Sequence, residues 1–131
     1  MRQFHLEIVT PDGLKFDGEC ESILVKTIAG DVEIMYGHED YFAPLAIGRA
    51  RVKYNGITQT ASAQGGFISV KDKSVKLVAT TFEFASEIDK ERAEAAKARA
   101  EEALREAKSE REIAIFKAKL ARALNRLSVK G

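Results

Sequence analysis

The chain of 131 residues is first defined by what it lacks: tryptophan, a second cysteine, any long apolar run, and a large net charge. A single cysteine, Cys20, excludes an internal disulfide and fits a reducing cytoplasm. It stands between Glu19 and Glu21, which disfavour a thiolate, so a structural role is expected. Apolar stretches of only a few residues rule out a spanning helix. The opening Met1–Thr10 has no charged segment followed by an apolar one, so no signal peptide is expected there. A net charge of +1 argues against a polyanion binder as a whole. The motif inventory is equally bare, with no nucleophile elbow, no Walker loop, no His-Glu-x-x-His and no cysteine pair.

Of two histidines, His5 falls on the polar side of an alternating segment and reads as a surface residue. His38 neighbours Glu39 and Asp40, but without a second histidine a metal or acid–base site is poorly supported. Gly65-Gly66 leads into a strand-like run rather than a helix. It lacks the helix-terminus physics of a phosphate loop and reads as a turn or bulge. No catalytic and no metal-ligating residues are therefore assigned.

What is present divides in two near Ala85-Ser86. Both prolines and every glycine except Gly131 come before that point; Ala, Glu, Lys, Arg and Leu dominate after it. The apolar period changes from two to a helical one. Residues 1–85 and 86–131 are therefore read as separate domains.

Phe4, Leu6 and Ile8 alternate with polar neighbours, and Pro11-Asp12-Gly13 turns the chain into Leu14 and Phe16. Ser22–Val25 reads as a strand buried on both faces, while Ala50, Val52 and Tyr54 alternate with Arg49, Arg51 and Lys53. Asn55-Gly56 is a strong hairpin signal, because a type I′ turn needs positive φ at both central residues. A last hairpin runs out through Val70, turns at Lys71–Lys73 and returns to Val78. Roughly eight to ten short strands without an intervening helix predict an antiparallel β-sandwich or flattened barrel.

The second half opens with a capping-box pattern, Ser86 with Asp89 three residues on, and Ser109 with Glu112 repeats it. Ala93, Ala96, Ala100, Ala103 and Ala107 form a stripe on the first helix. Ile113, Phe116, Leu120, Leu124 and Leu127 form one on the second. Two helices of about 20 residues joined by a tight turn predict an antiparallel αα-hairpin. Such an alanine-lined pair buries little apolar area and is only marginally stable alone.

Arginines are the most informative residues here. Arg92 and Arg99 share one face of the first helix. Arg122 and Arg126 share a face of the second and come level with Arg92 near the hairpin's open end. Converging guanidiniums repel one another unless acids or an anion separate them. Composition alone favours a solvated face paired by Glu91, Glu94 and Glu101 over an anion site. From Ile113 onward the chain carries Lys117, Lys119, Arg122, Arg126 and Lys130 and no acid, a stripe suited to an acidic protein surface or a nucleic acid. The acids interleaved in the first helix disfavour nucleic acid.

The order of these features resembles the ε subunit of bacterial F-type ATP synthases over essentially the whole chain. The resemblance is carried by Val9–Gly13, Gly30–His38, Gly65–Val70 and Glu87–Ala93 together and in order. In the family the second stretch reads closer to Gly-x-Ile-Gly-Ile-Leu-Pro-Gly-His, so Glu33 and Tyr36 stand where glycine and proline are usual. The resemblance implies a non-catalytic stalk subunit, peripheral on the cytoplasmic face of the membrane and not inserted into it. Its sandwich would bind γ and the c-ring, the latter near a loop holding Asp31 and His38. Its hairpin would switch between a folded state and one extended into the α/β head, where Lys117, Lys119 and their neighbours brake ATP hydrolysis. The resemblance also implies ATP as a regulatory ligand of the folded state, with no metal required. The motif residues Ile88, Asp89, Arg92 and Ala93 are intact, and the associated Glu83, Arg99, Arg122 and Arg126 are present. Ile88 and Ala93 would then pack on the purine, and Asp89 or nearby backbone would bond its edge. A free-standing nucleotide sensor of the same fold is the alternative.

Overall fold

The computed structural model describes residues 2–131, which fall into two compact units that divide between Phe84 and Ala85. The first contains ten strands: β1 (Phe4–Thr10), β2 (Gly13–Cys20), β3 (Ser22–Thr27), β4 (Gly30–Met35), β5 (Tyr41–Pro44), β6 (Gly48–Tyr54), β7 (Ile57–Gln64), β8 (Phe67–Lys71), β9 (Ser74–Val78) and β10 (Thr81–Phe84). They form two five-stranded sheets, β2-β1-β9-β8-β5 and β10-β7-β6-β3-β4. Alternation places Leu6, Ile8, Ile68 and Leu77 of the first sheet and Ile23, Val25, Val52 and Phe82 of the second in one buried core.

The antiparallel β-sandwich expected from the sequence is present, with one parallel exception, and the reading of one strand is corrected. One neighbouring pair, β1 with β9, is parallel, although every other pairing is antiparallel. Such a pairing joins segments far apart in sequence, and no local turn signal specifies its direction. Nor is β3 buried on both faces: Ile23 and Val25 are buried, while Leu24 is only half-covered. Each sheet turns one face to the core, and Leu24 lies on the other, in register between Glu33 and Arg51.

The turn chemistry agrees with the sequence. Asn55 (φ 51°) and Gly56 (φ 73°) both occupy the left-handed region between β6 and β7. Asp72 and Lys73 do the same between β8 and β9, with φ of 51° and 66°. Gly65-Gly66 is where the chain leaves one sheet for the other. A Cβ on Gly66 would stand 1.8 Å from the Val78 carbonyl oxygen, so only glycine allows this approach. The pair is a backbone crossing, as its leading into a strand suggested.

The second unit contains a 3₁₀ turn (Ala85–Glu87), helix α1 (Lys90–Glu106) and helix α2 (Glu110–Lys130). Helix α2 begins as its capping box predicts, with the Glu112 backbone N–H donating to Ser109 Oγ at 3.1 Å. Helix α1 does not. Ser86 lies within the 3₁₀ turn, and the N-cap is Asp89, whose Oδ1 accepts the Arg92 backbone N–H at 3.1 Å.

Helix α1 turns Ala93 and Ala100 inward and half-covers Ala96 and Ala103. On α2 the buried seam passes through Ala123, and the expected Leu124 is 45% exposed. Ala93 and Ala123 lie equally far from Lys108 along the antiparallel pair, and both are buried. The open end is tied by Lys130 Nζ, which donates to the Ala85 carbonyl at 3.0 Å. Among the described residues, no helix is long and apolar enough to cross a membrane.

Candidate functional site

Among the described residues, no group of three or more His, Cys, Asp or Glu side chains comes together in a way that could hold a metal ion. His5 is half-exposed on the outer face of β1, with Nε2 2.7 Å from Asp17 Oδ1. His38 follows β4; its Nδ1 donates to the Glu39 carbonyl at 2.8 Å, and its ring meets Tyr41 edge-on. Asp31 is not in that loop. It lies within β4, in register with Lys26 of β3. Tyr36 is flanked by two cations, Arg2 5.2 Å and Lys73 5.8 Å from its ring centroid.

Cys20 is fully buried at the end of β2, and burial pushes its thiol up to about 11. The neighbouring Glu21 adds least to that shift, so desolvation rather than the flanking acids keeps the sulfur protonated.

The feature with chemical potential is a cleft of about 350 Å³ between α1 and α2. Arg99 with Ala96, Ala100 and Ala103 form its α1 wall; Phe116, Lys119, Arg122 and Arg126 form its α2 wall. The alanines make room, and four basic residues line an open space whose lining contains no carboxylate. This volume lies at the lower end of the range for small-molecule sites. An arrangement of this kind favours an anion with several charges and apolar flanks.

Three of the arginines singled out from the sequence, Arg99, Arg122 and Arg126, thus meet in one cleft. Arg92 does not line it, standing one turn beyond Ala96 towards the open end. Ile88 and Ala93 are buried and Asp89 caps the helix, so these motif residues build the start of α1. Glu83 belongs to the sandwich, on β10 opposite Ser62. Lys119 and Phe116 were not read from the sequence as parts of a ligand site. Their i, i+3 spacing with Arg122 was the available signal.

Two family models match in succession: ATP synthase, Delta/Epsilon chain, beta-sandwich domain over residues 3–85, and its long alpha-helix domain over residues 86–131. The ATP synthase epsilon chains of Bacillus velezensis and Bacillus subtilis are each 42% identical to it, covering the whole of this chain and 99% of theirs. The chain belongs to the ATP synthase delta/epsilon family. Within that family its relatives are epsilon chains, which makes it a stalk subunit of the synthase rather than a catalytic one. Among solved structures, a chain of the Euglena gracilis mitochondrial ATP synthase superposes with a TM-score of 0.81. The match covers 94% of this chain and 78% of that one at 23% identity. A chain from the central stalk and c-ring of the Tetrahymena thermophila enzyme gives 0.66 over 99% and 98%, at 13% identity. These two likenesses concern the fold.

Proposed function

We propose that this subunit joins the rotor of an F-type ATP synthase and regulates ATP hydrolysis through an ATP-binding helical hairpin. In this reading the sandwich binds γ and the c-ring, with the strand and loop carrying Asp31 and His38 facing the ring. The subunit sits peripherally on the cytoplasmic face of the membrane. The hairpin, when extended, brings the acid-free part of α2 against acidic surfaces of the α/β head and slows hydrolysis. ATP holds the hairpin folded.

The observation that carries this reading is the convergence of Arg99, Arg122 and Arg126 on one carboxylate-free cleft. Their guanidiniums supply forked donors for phosphate oxygens and neutralise them without a metal. The purine packs at the open end, beside Ile88 and Ala93, with Arg92 next to it. No group in the cleft is placed to activate water, so ATP is bound and not hydrolysed. Because the site needs both helices, a ligand at a hundredfold excess over its Kd stabilises the folded hairpin by about 2.7 kcal/mol. That matters for a pair whose seam is largely alanine.

Calorimetric titration of the full chain with ATP tests the reading. Binding is expected without magnesium, with GTP weaker than ATP because its purine edge rearranges donors and acceptors. Arg126→Ala should lose roughly 1.5–3 kcal/mol of binding. No binding at millimolar ATP, or an Arg126→Ala variant that binds like wild type, would leave these arginines a solvated helical face.

A further inference from the structure

The four cations of the cleft fall into two tiers along the hairpin. Counted from Lys108, Arg99 lies nine residues before the turn and Lys119 eleven after, so these two come level. Arg122 and Arg126, fourteen and eighteen residues after it, form a second tier about 5–10 Å further along the axis. Among the described residues, neither Arg99 nor Lys119 has a carboxylate partner. The nearby acid Glu101 is 3.9 Å from Lys97 instead. Lys119 Nζ stands 5.6 Å from the centroid of the Phe116 ring, itself part of the cleft wall. The ring's negative face holds the ammonium at the cleft without neutralising it. Lys117, two residues away on the same helix, does not line the cleft.

We propose that Lys119 binds the terminal phosphate of a nucleoside triphosphate and sets the cleft's preference for triphosphates over diphosphates. The inference rests on the nucleotide reading above. With the purine at the open end, the phosphate chain runs towards the turn and meets the Arg122 and Arg126 tier first. Two phosphates are held there; only a third extends to Arg99 and Lys119. Lys119 also belongs to the basic stripe offered to the α/β head, so bound triphosphate and that head compete for the same ammonium. This competition links ligand charge to release of the brake.

The test is calorimetric titration of the full chain with ATP and with ADP, in wild type, Lys119→Gln, Lys119→Arg and Lys117→Gln. Circular dichroism checks that each variant keeps its helix. Lys119→Gln should lower ATP affinity about tenfold while changing ADP affinity less than about threefold. Lys119→Arg should restore the difference, and Lys117→Gln should leave both affinities as in wild type. Inorganic triphosphate should displace ATP from wild type better than from Lys119→Gln. Unchanged ATP affinity in Lys119→Gln, or an equal loss for ATP and ADP, would overturn the assignment of Lys119 while leaving the nucleotide site standing. A wild type that binds no ATP would overturn the nucleotide reading, and this one with it.

Discussion

Oδ1 of Asp89 accepts the backbone N–H of Arg92 at 3.1 Å, so a residue proposed to bind the purine is also the N-cap of α1. The two duties can be separated, because a serine caps a helix nearly as well as an aspartate but presents no carboxylate. Asp89→Ala should cost about 1 kcal/mol of hairpin stability. Asp89→Ser should melt close to wild type yet bind ATP more weakly. Thermal melts followed by circular dichroism, paired with ATP titration, read the two effects. A serine variant that matches wild type in both would reduce Asp89 to a cap.

The buried sandwich core is drawn from residues between Phe4 and Phe82. A fragment ending at Ala85 should therefore unfold cooperatively and still bind γ. Saturating ATP should raise the melting temperature of the full chain and leave the fragment's unchanged. Scanning calorimetry of the two side by side checks this, and a molten fragment would count against an independent sandwich.

Beyond Ile113, α2 carries no acid, and its cations point in more than one direction: Lys119, Arg122 and Arg126 line the cleft while Lys117 does not. Replacing Lys117, Lys119, Arg122 and Arg126 together with alanine should relieve inhibition of ATP hydrolysis in the assembled enzyme and preserve synthesis. Hydrolysis and synthesis rates of the reconstituted complex are the readout. Inhibition that persists would place the braking contact elsewhere or make it steric.

Cys20 donates its S–H to the carbonyls of Ser22 at 3.0 Å and Lys53 at 3.3 Å, linking the end of β2 to strands of the opposite sheet. Burial raises its thiol from 9.0 to about 11 in the folded state. A folded pKa above the unfolded one contributes stability that is fully present below pH 9 and lost as pH rises through about 11. The stability advantage of wild type over Cys20→Ala, measured by denaturant titration, should therefore shrink across that window. At neutral pH, iodoacetamide should label Cys20 only as fast as the sandwich opens. Rapid labelling of the native protein would contradict a buried, neutral thiol.

Features set by a few adjacent residues were legible without coordinates. Alternation in β1 and β6, the left-handed pair Asn55-Gly56, the Ser109 cap and the change of period near Ala85 all arise from local backbone preference and side-chain direction. The facing of Arg122 and Arg126 was equally legible, since helical spacing alone puts them on one side.

What required tertiary structure were choices between locally equivalent alternatives. Ser86 and Asp89 are both good caps, and the 3₁₀ turn at Ala85–Glu87 settles on the second. Ala123 and Leu124 both continue the apolar spacing of α2, and in the paired helices Ala123 is buried while Leu124 is 45% exposed. Lys117 and Lys119 read alike as members of a basic stripe until the position of α1 puts one in the cleft and leaves the other outside it. The parallel pairing of β1 with β9 joins segments more than sixty residues apart. In each case the deciding energy lies in a contact between distant segments, and nearest-neighbour preference carries no information about it.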